Sequence, residues 1–99
     1  MFLNKYMNEI YYNQIIKKYD KEYLNLIDEE LFLRNYEIFQ KYNFYYIDEI
    51  ILYYLELFEL DNEELDIKLQ YLIKKLGYDY LEIISKNIFI LDNILDSED

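Results

Sequence analysis

The chain has 99 residues, a formal net charge of −11 and no Cys, His, Pro or Trp, with one Gly and 14 Tyr. That length holds one hydrophobic core, so one domain over residues 1–99 is expected, and 54% hydrophobic content argues against intrinsic disorder. Lacking Cys and His, the chain has no disulfide framework, no thiolate zinc site and neither the commonest catalytic base nor the best nucleophile.

Leu3, Tyr6, Met7, Ile10 and Gln14 recur at three- and four-residue steps and predict an amphipathic helix from about Phe2 to Tyr19. Asp20 is expected to end it in a left-handed conformation, and Glu22 to Ile27 forms a short helix. Asp28 reads as an N-cap, with Glu29 and Glu30 in a first turn where the helix dipole favours negative charge. Leu31, Phe32, Arg34, Tyr36, Ile38, Phe39 and Tyr42 continue that helix to Asn43. Next comes the most apolar stretch, and Asp48 to Leu60 is predicted to be the central helix, capped by Asp48 and burying Ile50, Ile51, Tyr54, Leu55, Leu57 and Phe58. Four carboxylates within Phe44 to Leu60 are too costly in hydrocarbon for this to be a membrane span.

Asp61 and Glu64 have capping-box spacing for the next helix, with core positions Leu65, Leu69, Leu72, Ile73 and Leu76. Lys74 and Lys75 complement its C-terminus, and Gly77 supplies a left-handed cap. Asp79 and Glu82 repeat the capping-box spacing before a last helix carrying Leu81, Ile84, Ile88, Leu91 and Leu95, and residues 96–99 form an acidic tail. Ile, Tyr and Phe favour strands, but the three-four spacing, the caps and the lack of hairpin turn dipeptides decide for helix. The fold class expected is all-α: a small bundle of four to five short helices, with stacked helical hairpins as its finer form.

Asp28-Glu29-Glu30-Leu31 aligns with Asn62-Glu63-Glu64-Leu65 at an offset of 34 residues, as Gln40-Lys41-Tyr42-Asn43 aligns with Lys74-Lys75-Leu76-Gly77. Either a true repeat or a restricted alphabet accounts for this, and helical hairpins follow from both. In its helix–Leu-Gly–helix pattern, LIKKLGYDYLEIISKNIFIL, the segment from Leu69 to Leu91 resembles one repeat of the mitochondrial transcription termination factor family. The proline usual in those repeats is missing, and those nucleic-acid binders are basic where this chain is acidic, so no function is carried over.

Charge is unevenly distributed: residues 1–27 carry +1, residues 28–66 carry −10 and residues 67–99 carry −2. A focused negative field attracts a basic partner and repels nucleic acid and anionic lipid. The pairs Glu49/Glu56 and Glu59/Glu63 could serve acid–base or metal chemistry, but Glu-x-x-His cannot occur here, and Asp61 to Asp66 lacks the glycine and the later Glu of a calcium loop. Solvated helix faces are the ordinary reading, so no catalytic residue, metal or cofactor is assigned and the chain is read as non-enzymatic. Of each adjacent tyrosine pair, Tyr11-Tyr12, Tyr45-Tyr46 and Tyr53-Tyr54, one member is expected in the core and one at the rim. On the central helix Glu49, Tyr53 and Glu56 share a face, an aromatic flanked by carboxylates suited to a protein partner rich in Lys and Arg.

The functional expectation is an acidic inhibitor of a basic nucleic-acid-handling protein, of the anti-CRISPR, anti-restriction or nuclease-immunity type, acting in the cytoplasm of a bacterial or phage-infected cell by mimicking nucleic-acid charge. The expected partner-binding residues are Glu29, Glu30, Glu37, Asp48, Glu49, Tyr53, Glu56, Glu59, Glu63, Glu64 and Asp66. The alternative is an assembly protein, a homodimer or a subunit of a helical complex, supported by the apolar and aromatic surplus. A third reading, nucleic-acid binding through Lys17, Lys18 and Lys21 and through Lys74 and Lys75, conflicts with the net charge.

Overall fold

The computed structural model describes residues 2–96. Among them the regular structure is entirely helical: seven α-helices and three short 3-10 segments. In chain order these are the 3-10 segment Leu3–Lys5, α1 (Glu9–Lys18), α2 (Lys21–Leu26), α3 (Glu29–Lys41), α4 (Ile47–Tyr53), the 3-10 segment Leu55–Glu59, α5 (Asn62–Leu76), α6 (Tyr80–Lys86), the 3-10 segment Ile88–Leu91 and α7 (Asp92–Asp96). The helices are more numerous and shorter than expected, because three of the predicted ones are interrupted.

The first interruption falls at Asn8, whose side chain accepts the Ile10 N–H at 2.8 Å and starts α1 there. An N-cap of this kind satisfies one of the donors that a helix start leaves orphaned. The register changes with it: Ile15 is buried and Ile10 exposed, whereas the unbroken pattern placed Ile10 inside. Asp20 is not a left-handed terminator but the extended N-cap residue of α2. Among the described non-glycine residues positive φ occurs at Asn43, just past α3.

The second interruption divides the predicted central helix. α4 begins after Tyr46, so Asp48 lies in its first turn rather than capping it, and there it accepts the Asn8 backbone N–H at 3.0 Å. The helix stops at Tyr54, and the 3-10 segment follows. At about 100° per residue a straight helix would set Leu52 and Leu57 on well-separated sides. Both are buried, together with Ile50, Ile51, Tyr54, Leu55 and Phe58. Changing direction at Tyr54 lets an all-round apolar stretch be covered from several sides.

The third interruption is at Asn87, which splits the predicted last helix into α6, a 3-10 turn and α7. Asp79 precedes α6 without a side-chain cap bond, whereas Asp28 and Asp61 cap α3 and α5 as expected, accepting from Glu30 at 2.9 Å and from Glu64 at 3.3 Å. Asp96 ends α7, and the rest of the acidic tail lies outside the described residues.

The buried residues form one hydrophobic cluster centred where α3, the segment Leu55–Glu59 and α5 meet. Phe58 is its hub, stacked on Phe32 at 5.0 Å between centroids and tilted against Phe39 at 5.1 Å. α1 packs on α4, while α6 and α7 close over α5. The radius of gyration is 13.2 Å, close to the roughly 13 Å of a compact chain of this length. Among the described residues no helix is long and apolar enough to cross a membrane.

Candidate functional site

The expected partner-binding carboxylates fall into different environments, and most are already engaged within the chain. Glu29 accepts from the Tyr6 hydroxyl at 3.3 Å and lies 3.6 Å from the Lys5 ammonium. Glu30 pairs with Arg34 at 2.6 Å and Glu64 with Lys68 at 2.9 Å. Asp66 is the most heavily engaged, accepting from the Tyr42 hydroxyl, from Lys41 at 3.0 Å and from Gln70 at 3.3 Å. The Tyr42 hydrogen bond above all, with those from Lys41 and Gln70, holds its carboxyl below the ordinary aspartate range. Asp48 serves the Asn8 backbone, and Glu49 is half-buried beside Tyr46. Glu37 and Glu63 are exposed, on α3 and at the start of α5.

Glu37 and Glu63, likewise without an ion pair to a described residue, stand apart on separate helices, whereas Glu56 and Glu59 stand together on one short element. Both are exposed on the 3-10 segment, and neither forms an ion pair with a described residue. Three residues complete a 3-10 turn with about 2 Å of rise each, so the two carboxylates project one above the other, about 6 Å apart along the axis. Glu59 accepts the hydroxyl proton of Tyr23, a neutral donor that leaves the charge in place. Burial and the negative charge of Glu56 raise the Tyr19 phenol above its ordinary value; burial and the bond to Glu59 raise Tyr23 further. Both shifts keep the phenols neutral well into the alkaline range, beside carboxylates that keep their charge.

An aromatic surface surrounds this acidic ridge. Tyr19 and Tyr23, at the end of α1 and on α2, lie 5.7 Å apart between centroids. Tyr53, 42% exposed at the end of α4, meets Phe89 edge-on at 5.9 Å, and Phe89 is itself 59% exposed. The Lys18 ammonium sits 5.1 Å from the Tyr19 ring centroid and 5.3 Å from that of Tyr53. The predicted face of Glu49, Tyr53 and Glu56 is not continuous, because α4 ends at Tyr53 and Glu56 belongs to the next element. Of the tyrosine pairs, Tyr53-Tyr54 divides between rim and core as expected; Tyr45 is exposed but Tyr46 only half-buried, and Tyr11 and Tyr12 are both half-buried.

Two residues hold the ridge in place: Lys18, which the sequence offered only as a nucleic-acid contact, and Asn35, which it did not single out. Lys18 donates to the Leu52 carbonyl at 2.8 Å, serving a backbone acceptor at the end of α4. Asn35, fully buried on α3, donates through Nδ2 to the carbonyls of Phe58 at 2.9 Å and Leu60 at 2.8 Å, with Leu57 at 3.5 Å. The segment between is thereby tied near both ends. Asn35 had a signal: three residues after Phe32 and four before Phe39, it sits mid-way along an apolar face, where a polar side chain must find a hydrogen-bonding task. Its Oδ1 is buried without a partner among the described residues.

Among the described residues no cluster of three or more acidic side chains is arranged to hold a metal ion. A shallow depression lined by Phe2, Lys5, Leu24, Asn25, Ile27 and Glu29 is polar and open to solvent. No known protein family, curated protein or solved structure matches this chain significantly.

Proposed function

We propose that this chain is a non-enzymatic acidic binding protein that inhibits a basic nucleic-acid-handling protein. The observation that carries this reading is the ridge of Glu56 and Glu59, unneutralised by any ion pair among the described residues and flanked by Tyr19, Tyr23 and Tyr53. Two carboxylates on one edge offer a partner's Lys and Arg side chains what consecutive phosphates would offer, and the tyrosines add apolar contact area. In this reading the paired carboxylates Glu29, Glu30, Glu64 and Asp66 add to the field that steers encounter, and Glu56 and Glu59 make the contact. The Lys18 ammonium is engaged by the Leu52 carbonyl and two aromatic rings and forms no ion pair with Glu56 or Glu59, so it braces the edge.

The class of function is that of anti-CRISPR, anti-restriction and nuclease-immunity proteins, and the place of action the cytoplasm of a bacterial or infected cell. We take the whole chain to act as one domain built of stacked helical hairpins, supported by the packing of α3 on α5 and of α5 on α6 and α7. Nucleic acid itself and anionic membranes are not partners in this reading, because the charge has the wrong sign.

The test is affinity capture from the native host lysate with identification of the retained proteins, repeated with Glu56→Lys/Glu59→Lys and, as control, Glu29→Lys/Glu30→Lys. The expected result is one basic nucleic-acid-binding protein, released by salt, lost with the first variant and largely kept with the second. Retention of that protein by Glu56→Lys/Glu59→Lys, with unchanged salt sensitivity, would refute the assignment.

A further inference from the structure

One side of α5 is open to solvent along its length, although Gln70 at its edge donates to Asp66 at 3.3 Å. The inner side of the helix carries Leu65, Leu69 and Leu72, all buried. On the opposite side, at three- and four-residue steps, lie Glu63, Ile67, Gln70, Tyr71 and Lys74, all exposed. Ile67 is 67% and Tyr71 69% exposed, a pair of large apolar side chains one turn apart and open to water. Glu63 and Lys74 flank them, and neither forms an ion pair with a described residue. The face thus runs from carboxylate through an apolar middle to ammonium, and it is electrically neutral in a chain of charge −11.

We propose that this face of α5 binds the same face of a second copy of this chain, in antiparallel contact about a two-fold axis. A two-fold axis across a helix reverses its direction, so each residue meets one mirrored about the axis position. The midpoint of Ile67 and Tyr71 is position 69; that of Glu63 and Lys74 falls half a residue earlier, a mismatch of about 0.75 Å along the helix. One axis therefore sets Ile67 of each copy on Tyr71 of the other and Glu63 of each on Lys74 of the other. The charge order selects this arrangement over a parallel one, which would oppose like charges at both ends. The surface is distinct from the Glu56/Glu59 ridge, so either assignment can fail without the other.

A single helix face per copy buries less than the roughly 1,600 Å² of a standard interface, and repulsion between acidic copies opposes it. The complex is therefore a weak one, with a dissociation constant on the order of 100 µM at physiological ionic strength. Sedimentation equilibrium over about 10 µM to 1 mM is expected to show a monomer–dimer equilibrium. Glu63→Lys and Lys74→Glu each turn both interfacial ion pairs into repulsions, and each variant alone should associate about tenfold more weakly. Mixed in equal amounts, they should form a heterodimer at close to the wild-type affinity, because both attractive pairs are regenerated across the axis. Far-UV circular dichroism checks that each variant is folded. A chain that stays monomeric to 1 mM, variants that associate like the wild type, or a mixture that fails to recover association would each overturn the proposal.

Discussion

Replacing Asn35 by Ala tests the inference that one buried amide holds the segment carrying Glu56 and Glu59. The substitution removes the donor serving the Phe58 and Leu60 carbonyls, at 2.9 and 2.8 Å. A buried carbonyl left unsatisfied costs about 1–3 kcal/mol, so two cost about 4, and the small cavity adds about 1. Against this, the substitution also removes Oδ1, already buried without a described partner, which returns about 2 kcal/mol. The net expectation is a loss of about 3 kcal/mol, a large part of the stability of a domain this size. With a urea dependence of about 1.5 kcal/mol per molar, the denaturation midpoint followed by circular dichroism should fall by about 2 M. Asn35→Asp separates the donor's role from packing. Its ionised carboxylate cannot donate and would face carbonyl oxygens, and burial raises its pKa above the unfolded value. That variant is therefore weakest at neutral pH and regains stability as pH falls through the raised pKa, where the acid's hydroxyl can donate. A loss under about 1 kcal/mol for Asn35→Ala, the range of a surface substitution, would refute the reasoning, as would an Asn35→Asp penalty independent of pH.

Two further predictions concern the backbone and the tyrosines. Gly77 has φ 86° and ψ −157°, a combination essentially restricted to glycine, while a Cβ added there would meet nothing within 4 Å. Gly77→Ala should therefore lower stability by about 1–3 kcal/mol through conformation alone, measurable by urea denaturation, and an unchanged midpoint would contradict it. The phenols of Tyr19, Tyr23, Tyr36, Tyr42 and Tyr46 are all raised above 10.0, chiefly by burial. Because the folded values lie above the unfolded one, the stability they contribute is complete below about pH 10 and is lost as pH rises through the folded values. Alkaline titration of tyrosinate absorbance should show exposed tyrosines ionising first and the rest in a cooperative step coincident with loss of helix. All 14 titrating together while the helices persist would count against it.

Helical character, the caps at Asp28 and Asp61 and the position of Gly77 were legible in the sequence, because they depend on residues within a few positions of one another. Spacing of Leu65, Leu69 and Leu72 names the buried side of α5, and the same count on the opposite side exposes the Glu63–Lys74 face. Segmental charge was equally plain, since it needs only a tally. Lost were the breaks at Asn8, Tyr54 and Asn87. At Asn8 a polar residue competes with continuation of the helix, and it is Asp48, 40 residues away, that accepts its backbone N–H.

Periodicity identifies a buried side only where one side of a helix is apolar. Between Ile47 and Leu60 nearly every direction is apolar, so several backbone courses suit the pattern equally. What chose among them is long-range: Phe32 and Phe39 against Phe58, Asn35 on the carbonyls of Phe58 and Leu60, and Lys18 on that of Leu52. The same contacts place Glu56 and Glu59 beside Tyr19 and Tyr23 rather than in line with Glu49. Composition and local spacing thus determined by themselves that this is an acidic helical protein. Helical spacing also pairs Glu30 with Arg34 and Glu64 with Lys68, four residues apart on one helix. That Glu29 meets Lys5, that Asp66 meets Lys41, and that Glu56 and Glu59 lie at an aromatic edge was decided by packing between residues distant in the chain, because such contacts depend on distance in space.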